Sequence, residues 1–149
     1  MNFYNIIKEA HSGWAYLVLI LLLVAVVNAL IGFLRKKPFT AKDRKVSLFG
    51  LIVTHIQLLL AMFLYFLSPY YNTMKEIGMG EVMKNSDLRL YLIEHPLINL
   101  IGIVLVTIGW SKHKSVTTDK AKFKSIWLMY LIALVLILSR IPWKAWLAS

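Results

Sequence analysis

HSGWAYLVLILLLVAVVNALIGFLRKK, residues 11–37, decides the fold. From Leu17 to Leu34 it holds a single polar side chain, Asn28, and it then ends abruptly on Arg35, Lys36 and Lys37. Crossing the hydrocarbon of a bilayer takes about 20 apolar residues at roughly 1.5 Å of helical rise each. The stretch meets that requirement and the cations that follow mark where it leaves the lipid. Three further runs in the 149-residue chain approach the same standard, so the spans fall at about 12–34, 47–67, 93–110 and 125–143. Hydrophobic residues make up 59% of the chain, far above what the core of a soluble domain this size needs. The sequence therefore predicts an all-α, four-transmembrane-helix bundle, with residues 1–149 forming a single integral membrane domain. The first span is too long, and its leading flank too poor in positive charge, for a cleaved signal peptide, so it is expected to be retained.

A net charge of +10 points to nucleic acid only if the charge is spread over a soluble face. Here eleven of the seventeen Lys and Arg residues lie in two loops. Arg35, Lys36, Lys37, Lys42, Arg44 and Lys45 follow the first span, and Lys112, Lys114, Lys120, Lys122 and Lys124 precede the fourth. Residues 68–92 balance Lys75, Lys84 and Arg89 against Glu76, Glu81 and Asp87. The positive-inside rule places both basic loops in the cytoplasm and both termini in the periplasm. Anionic headgroups account for the same charges at about 1 kcal/mol each, so the expected partner is the lipid bilayer and not nucleic acid. Tryptophans and tyrosines at the span ends, Trp14, Tyr70, Tyr71, Tyr91, Trp143 and Trp146 outside and Trp110 and Trp127 inside, read as interfacial anchors. A short interfacial helix fits the segment between the second and third spans.

Ionisable residues inside lipid are the informative ones, because burying them without a partner is costly. His11 stands at the outer start of the first span, His55 lies inside the second, His95 opens the third, and Arg140 sits near the outer end of the fourth. His113, between Lys112 and Lys114, reads as solvated. Pro96 suits the first turn of a helix, which puts His95 near an N-cap and Glu94 in a capping role. Positions 95, 99, 102, 106 and 109 share one helix face reading His, Asn, Gly, Val, Gly. Small residues there either let a neighbouring helix approach closely or leave room for a flat macrocycle beside an imidazole. His55, too deep to snorkel, points inward, either to an interhelical partner such as Asn99 or Asn28 or to a metal. A neutral imidazole is a common axial ligand of haem iron, and haem between the helices of a four-helix bundle is an established arrangement. Arg140 suits a haem propionate or the headgroup layer.

Depth tests whether two histidines share one iron. Counted from the basic loops at about 1.5 Å per residue, His55 lies roughly 15 Å deep, His95 about 25 Å, Arg140 about 24 Å and His11 about 36 Å. His95 and Arg140 agree; His55 and His11 each differ from His95 by about 10 Å, so the pairing stays open. No HxxxH or HxxE spacing supports zinc. The absence of cysteine excludes disulfides, Fe–S clusters and thiolate chemistry, and no Ser–His–acid set, carboxylate pair or phosphate loop points to a hydrolase or transferase.

HSGWAY at 11–16, KPFTAKDRKVSLFGLIVTHIQLLLAMFLYFLSP at 37–69, EHP at 94–96 and SRIPW at 139–143 resemble a family of small four-helix bacterial inner-membrane proteins commonly filed as cytochrome B, or cytochrome b-like. The resemblance runs over nearly the whole chain. It implies haem b as cofactor, with His11, His55, His95 and Arg140 at the family's recurrent polar positions and the three histidines as candidate axial ligands of the iron. Where the family often carries arginine after the first histidine motif, this chain carries Trp14, so a second cationic propionate partner does not carry over. Two functional classes follow. One is a b-type cytochrome passing electrons between a membrane quinol and an outer-face acceptor, an electron carrier or subunit rather than a stand-alone enzyme. The other is a haem-free, non-catalytic membrane subunit or assembly factor whose polar residues serve helix packing and docking to other membrane subunits.

Overall fold

A computed structural model describes residues 2–148. Every regular element among them is helical: α1 Phe3–Leu34, α2 Ala41–Leu67, α3 Pro69–Ile77, α4 Met79–Lys84, α5 Ser86–Arg89, α6 His95–Ser115, α7 Asp119–Ser139 and α8 Trp143–Leu147. A π-helical turn over Leu90–Glu94 joins α5 to α6, so that Ser86–Ser115 is one continuous helix. Four helices, Phe3–Leu34, Ala41–Leu67, Ser86–Ser115 and Asp119–Ser139, are long and apolar enough to cross a membrane, as a multi-pass membrane protein requires.

The helices outrun the apolar runs because caps, and not hydropathy, set their ends. Asn2 accepts the N–H of Asn5 at 2.9 Å and starts α1 well before the lipid-soluble stretch. Thr40 and Asp43 form a reciprocal capping box at the head of α2, and Thr118 caps α7 through the N–H of Ala121. Asn28, the lone polar residue of the first apolar run, donates to Asp43 Oδ1 at 2.9 Å and so ties α1 to the first turn of α2. The expected interfacial segment between the second and third spans is two short helices, α3 and α4, ahead of the long Ser86–Ser115 helix.

The four long helices close a ring in which α1 touches α2 and α7, and α6 touches α2 and α7. Chain neighbours are therefore antiparallel, and α1 faces α6 across the diagonal. Leu22, Ala25 and Ala29 of α1, Val106 of α6, and Ile126, Tyr130 and Ala133 of α7 fill the centre. Tyr130, fully buried, donates its hydroxyl to the Ser47 carbonyl of α2 at 2.9 Å, across the middle of the ring. The seam between α2 and α6 is the thinnest of the four.

Gly102 and Gly109 lie against α7. A Cβ at Gly102 would stand 3.0 Å from Ile137 Cγ1, and one at Gly109 would stand 2.8 Å from Met129 Cβ and 2.9 Å from the Ser125 carbonyl oxygen. The small-residue stripe is thus spent on close approach of two helices, and the macrocycle clearance that the same stripe allowed is filled by α7. His113 continues this stripe by one turn. It is buried at 2% exposure between Trp110 and Phe39, with ring centroids 4.5 and 5.6 Å away, and its Nδ1–H reaches the Trp110 carbonyl. The solvated histidine expected among lysines is instead part of the core's basic end.

Candidate functional site

EHP opens α6, with Pro96 in its first turn as expected, but the helix emerges from a π-turn and not from a free end. Pro96 has no N–H to give the carbonyl of Leu92, and the backbone answers with the π-turn, in which the His95 N–H reaches back five residues to Leu90. The freed Leu92 carbonyl accepts the Tyr65 hydroxyl of α2 at 3.2 Å. Glu94 consequently caps nothing. It forms ion pairs with Arg89 Nε at 2.8 Å and with Arg140 Nε at 3.4 Å, bridging the π-turn to the end of α7. Two guanidinium groups on one carboxylate leave a net positive charge at this end of the bundle, and the Arg140 side chain stays 47% exposed.

The π-turn also aims His95. Its Nδ1 lies 2.8 Å from the Arg140 carbonyl and 3.1 Å from Asn99 Nδ2. A carbonyl only accepts, so the proton sits on Nδ1, and Asn99 Nδ2 is served by the His95 carbonyl at 2.6 Å. This arrangement leaves the Nε2 lone pair of His95 free. Across the diagonal stands His11 of α1, with ring centroids 6.2 Å apart and ring planes at 80°. His11 Nδ1 is buried and has no hydrogen-bond partner among the described residues. Gln57 of α2 donates to the His11 carbonyl at 3.0 Å, while its own Oε1 is also buried without a partner. Two orphaned polar atoms beside two facing imidazoles make this the least satisfied polar region of the core.

His55 lies elsewhere. Its Nδ1–H donates to the Leu51 carbonyl at 2.7 Å, and its Nε2 is 3.3 Å from Thr107 Oγ1 on α6. The Thr107 hydroxyl has one proton to divide between that nitrogen and the Ile103 carbonyl at 2.9 Å. Thr107 stands twelve residues along α6 from His95, about 18 Å of helical rise. The structure therefore brings His11, His95 and Arg140 to one end of the bundle and leaves His55 apart, closing the thin α2–α6 seam. Neither Asn28 nor Asn99 serves as its partner. We expect His55→Leu to lower the thermal unfolding midpoint modestly, by about 1 kcal/mol of lost interhelical bonding, without dissociating α2 from the bundle; calorimetry in detergent checks it.

Gln57 and the π-turn are site features that sequence alone did not single out. Gln57 reads in the sequence as one of several uncharged polar residues inside the spans, two positions beyond His55. Trp14, which stands where the resembling family often has arginine, is not a surface anchor: its indole donates to the Val53 carbonyl at 2.9 Å and links α1 to α2. Trp146 of α8 reaches the Ser12 carbonyl at 3.2 Å and closes the histidine end from above.

The His11 and His95 rings stand 6.2 Å apart, and a carbonyl-bound Nδ1–H on His95 is the orienting contact that metal-ligating histidines use. No group of three or more His, Cys, Asp or Glu side chains that could hold a metal ion occurs among the described residues. Comparison with family models, with curated proteins and with solved structures gave no match.

Proposed function

We propose that this chain is a b-type haem-binding protein of the bacterial inner membrane, carrying electrons between a membrane quinol and an acceptor at the outer face. The observation that carries this reading is the pair of imidazoles from diagonal helices, 6.2 Å apart, with a buried ring nitrogen left unsatisfied. In this reading His11 and His95 would hold haem b, which would supply reversible one-electron chemistry that no side chain here provides. The chain's own contribution is orientation and charge. The Arg140 carbonyl holds the His95 ring and its tautomer, Gln57 holds the α1 backbone at His11, and the surplus positive charge of Arg89 and Arg140 over Glu94 favours a propionate at the same end. His55 plays a packing role. The test is a reduced-minus-oxidised visible spectrum of the protein purified from membranes: Soret and α bands support the reading, and their absence in protein isolated from haem-replete cells overturns it.

The second reading, a haem-free membrane subunit or assembly factor, draws on the bonds that satisfy His55, Asn28 and Asn99 within the bundle. Those bonds explain three polar residues as packing, but they do not reach His11 or Gln57 Oε1.

Orientation belongs to the proposal as well. The two basic loops lie at one end of the antiparallel ring, and the positive-inside rule assigns that end to the cytoplasm and both termini, with the histidine pair, to the periplasmic side. A phosphatase fused after residue 148 should be active in the periplasm and one fused at residue 40 inactive; the reverse pattern overturns this assignment.

A further inference from the structure

The basic end holds a second site. A cavity of about 430 Å³ opens there between three helices, lined by Phe39, Thr40, Arg44, His113, Lys114 and Lys122. The three cations come from three different elements: Arg44 from the first turn of α2, Lys114 from the last turn of α6, and Lys122 from the first turn of α7. Aromatic rings hold them in place. Arg44 and Lys114 both lie over Trp110, at 5.6 and 5.8 Å from the ring centroid, and Lys122 lies over Phe39 at 5.9 Å. Those rings are themselves fixed, Trp110 at 9% exposure and Phe39 packed on the buried Phe123 with centroids 4.9 Å apart.

None of the three cations forms an ion pair among the described residues. Asp43, the acidic residue of α2, has both carboxylate oxygens engaged: one takes the Thr40 N–H and hydroxyl and the other takes Asn28. Stacking on aromatic faces positions like charges without neutralising them, so mutual repulsion inside the cavity remains to be offset by an anion. Because the cavity lies where α2 and α7 begin and α6 ends, it sits at the depth of the headgroups for a chain whose helices cross the bilayer.

We propose that this cavity binds the phosphate of an anionic phospholipid headgroup, clamped by Arg44, Lys114 and Lys122. The site is independent of the histidine pair at the opposite end. The test titrates the purified full-length chain, in neutral detergent, with short-chain phosphatidylglycerol, with phosphatidylcholine of equal chain length, and with inorganic phosphate, reading tryptophan fluorescence and the thermal midpoint. Phosphatidylglycerol should saturate the signal, and the other two should not at the same concentration. R44Q/K114Q/K122Q should raise the half-saturating concentration about a hundredfold, at roughly fivefold per cation. R35Q/K42Q/K45Q, which removes equal charge from exposed positions outside the cavity, should change it less than about threefold. Lys122→Gln alone, about fivefold weaker, keeps the test valid if the triple variant fails to fold. Equal losses in both triple variants would mean diffuse attraction and overturn the site; an equal response to phosphatidylcholine or to inorganic phosphate would overturn the assignment to an anionic lipid.

Discussion

If the chain carries haem as proposed, replacing His95 by alanine should remove its absorbance entirely, while replacing Glu94, one residue earlier, should leave it. The His95 ring stands 6.2 Å from that of His11, with its Nδ1–H fixed on the Arg140 carbonyl, so its loss would take away both the proposed ligand and the contact that orients it. Glu94 only pairs with Arg89 and Arg140, and its removal should shift the reduction potential without emptying the site, because it unmasks two positive charges beside it. His11→Ala should behave as His95→Ala does. His55→Leu should retain haem, since its imidazole is taken by Leu51 and Thr107 about 18 Å away along the bundle. Visible spectra of the four variants at matched expression check these outcomes together. A haem-replete His95→Ala protein would remove His95 from the ligand pair and leave only its bond to α7.

Gly109→Val should be strongly destabilising. A Cβ there meets Met129 Cβ at 2.8 Å and, more seriously, the Ser125 carbonyl oxygen at 2.9 Å, which belongs to backbone and cannot swing aside. Helices α6 and α7 must move apart, and the opened contact includes Tyr130, whose bond to Ser47 spans the ring. Overpacking of this kind costs about 3 kcal/mol, equivalent to a fall in the thermal midpoint on the order of 10 °C. Gly13→Val is the control, because nothing lies within 4 Å of a Cβ at that position; it should stay within about 0.5 kcal/mol of wild type. Thermal unfolding followed by circular dichroism in detergent separates the two. An unchanged midpoint for Gly109→Val would mean that α6 and α7 do not pack at the closeness described.

The four spans were legible because lipid imposes one requirement on every stretch that crosses it, and Leu17–Leu34 satisfies that requirement on composition alone. The EHP motif misled about capping for a local reason. Proline in the first turn of a helix with a free end and proline just after a π-turn present the same letters, and only the Tyr65 hydroxyl waiting on another helix tells them apart. His113 misread for a different one. Its lysine neighbours point outward, but the spacing that joined positions 95, 99, 102, 106 and 109 reaches 113 at the next step and already marked it as a core position.

The partner of His95 was out of reach because the depth ruler had two different zeros. Gly32 of α1 packs on Phe123, whereas Gly109 of α6 packs on Ser125 and Met129, so α1 runs about one turn further toward the basic end before meeting its first cations. Measuring both helices from their basic residues therefore set His11 too far from His95 by about half of the roughly 10 Å that separated them on that scale. Gln57 was silent for want of any pattern: a single amide on an apolar helix carries no signal until its neighbour's carbonyl is in place.

The central claim, that His11 and His95 share one haem iron across the diagonal of the bundle, is tested most directly by titrating haem b into the purified wild-type chain and into a His11→Ala, His95→Ala double variant. The account predicts uptake of one haem per wild-type chain with the optical spectrum of a six-coordinate, low-spin, bis-imidazole iron, and no stoichiometric uptake by the double variant; equal uptake with the same spectrum in both proteins would contradict it.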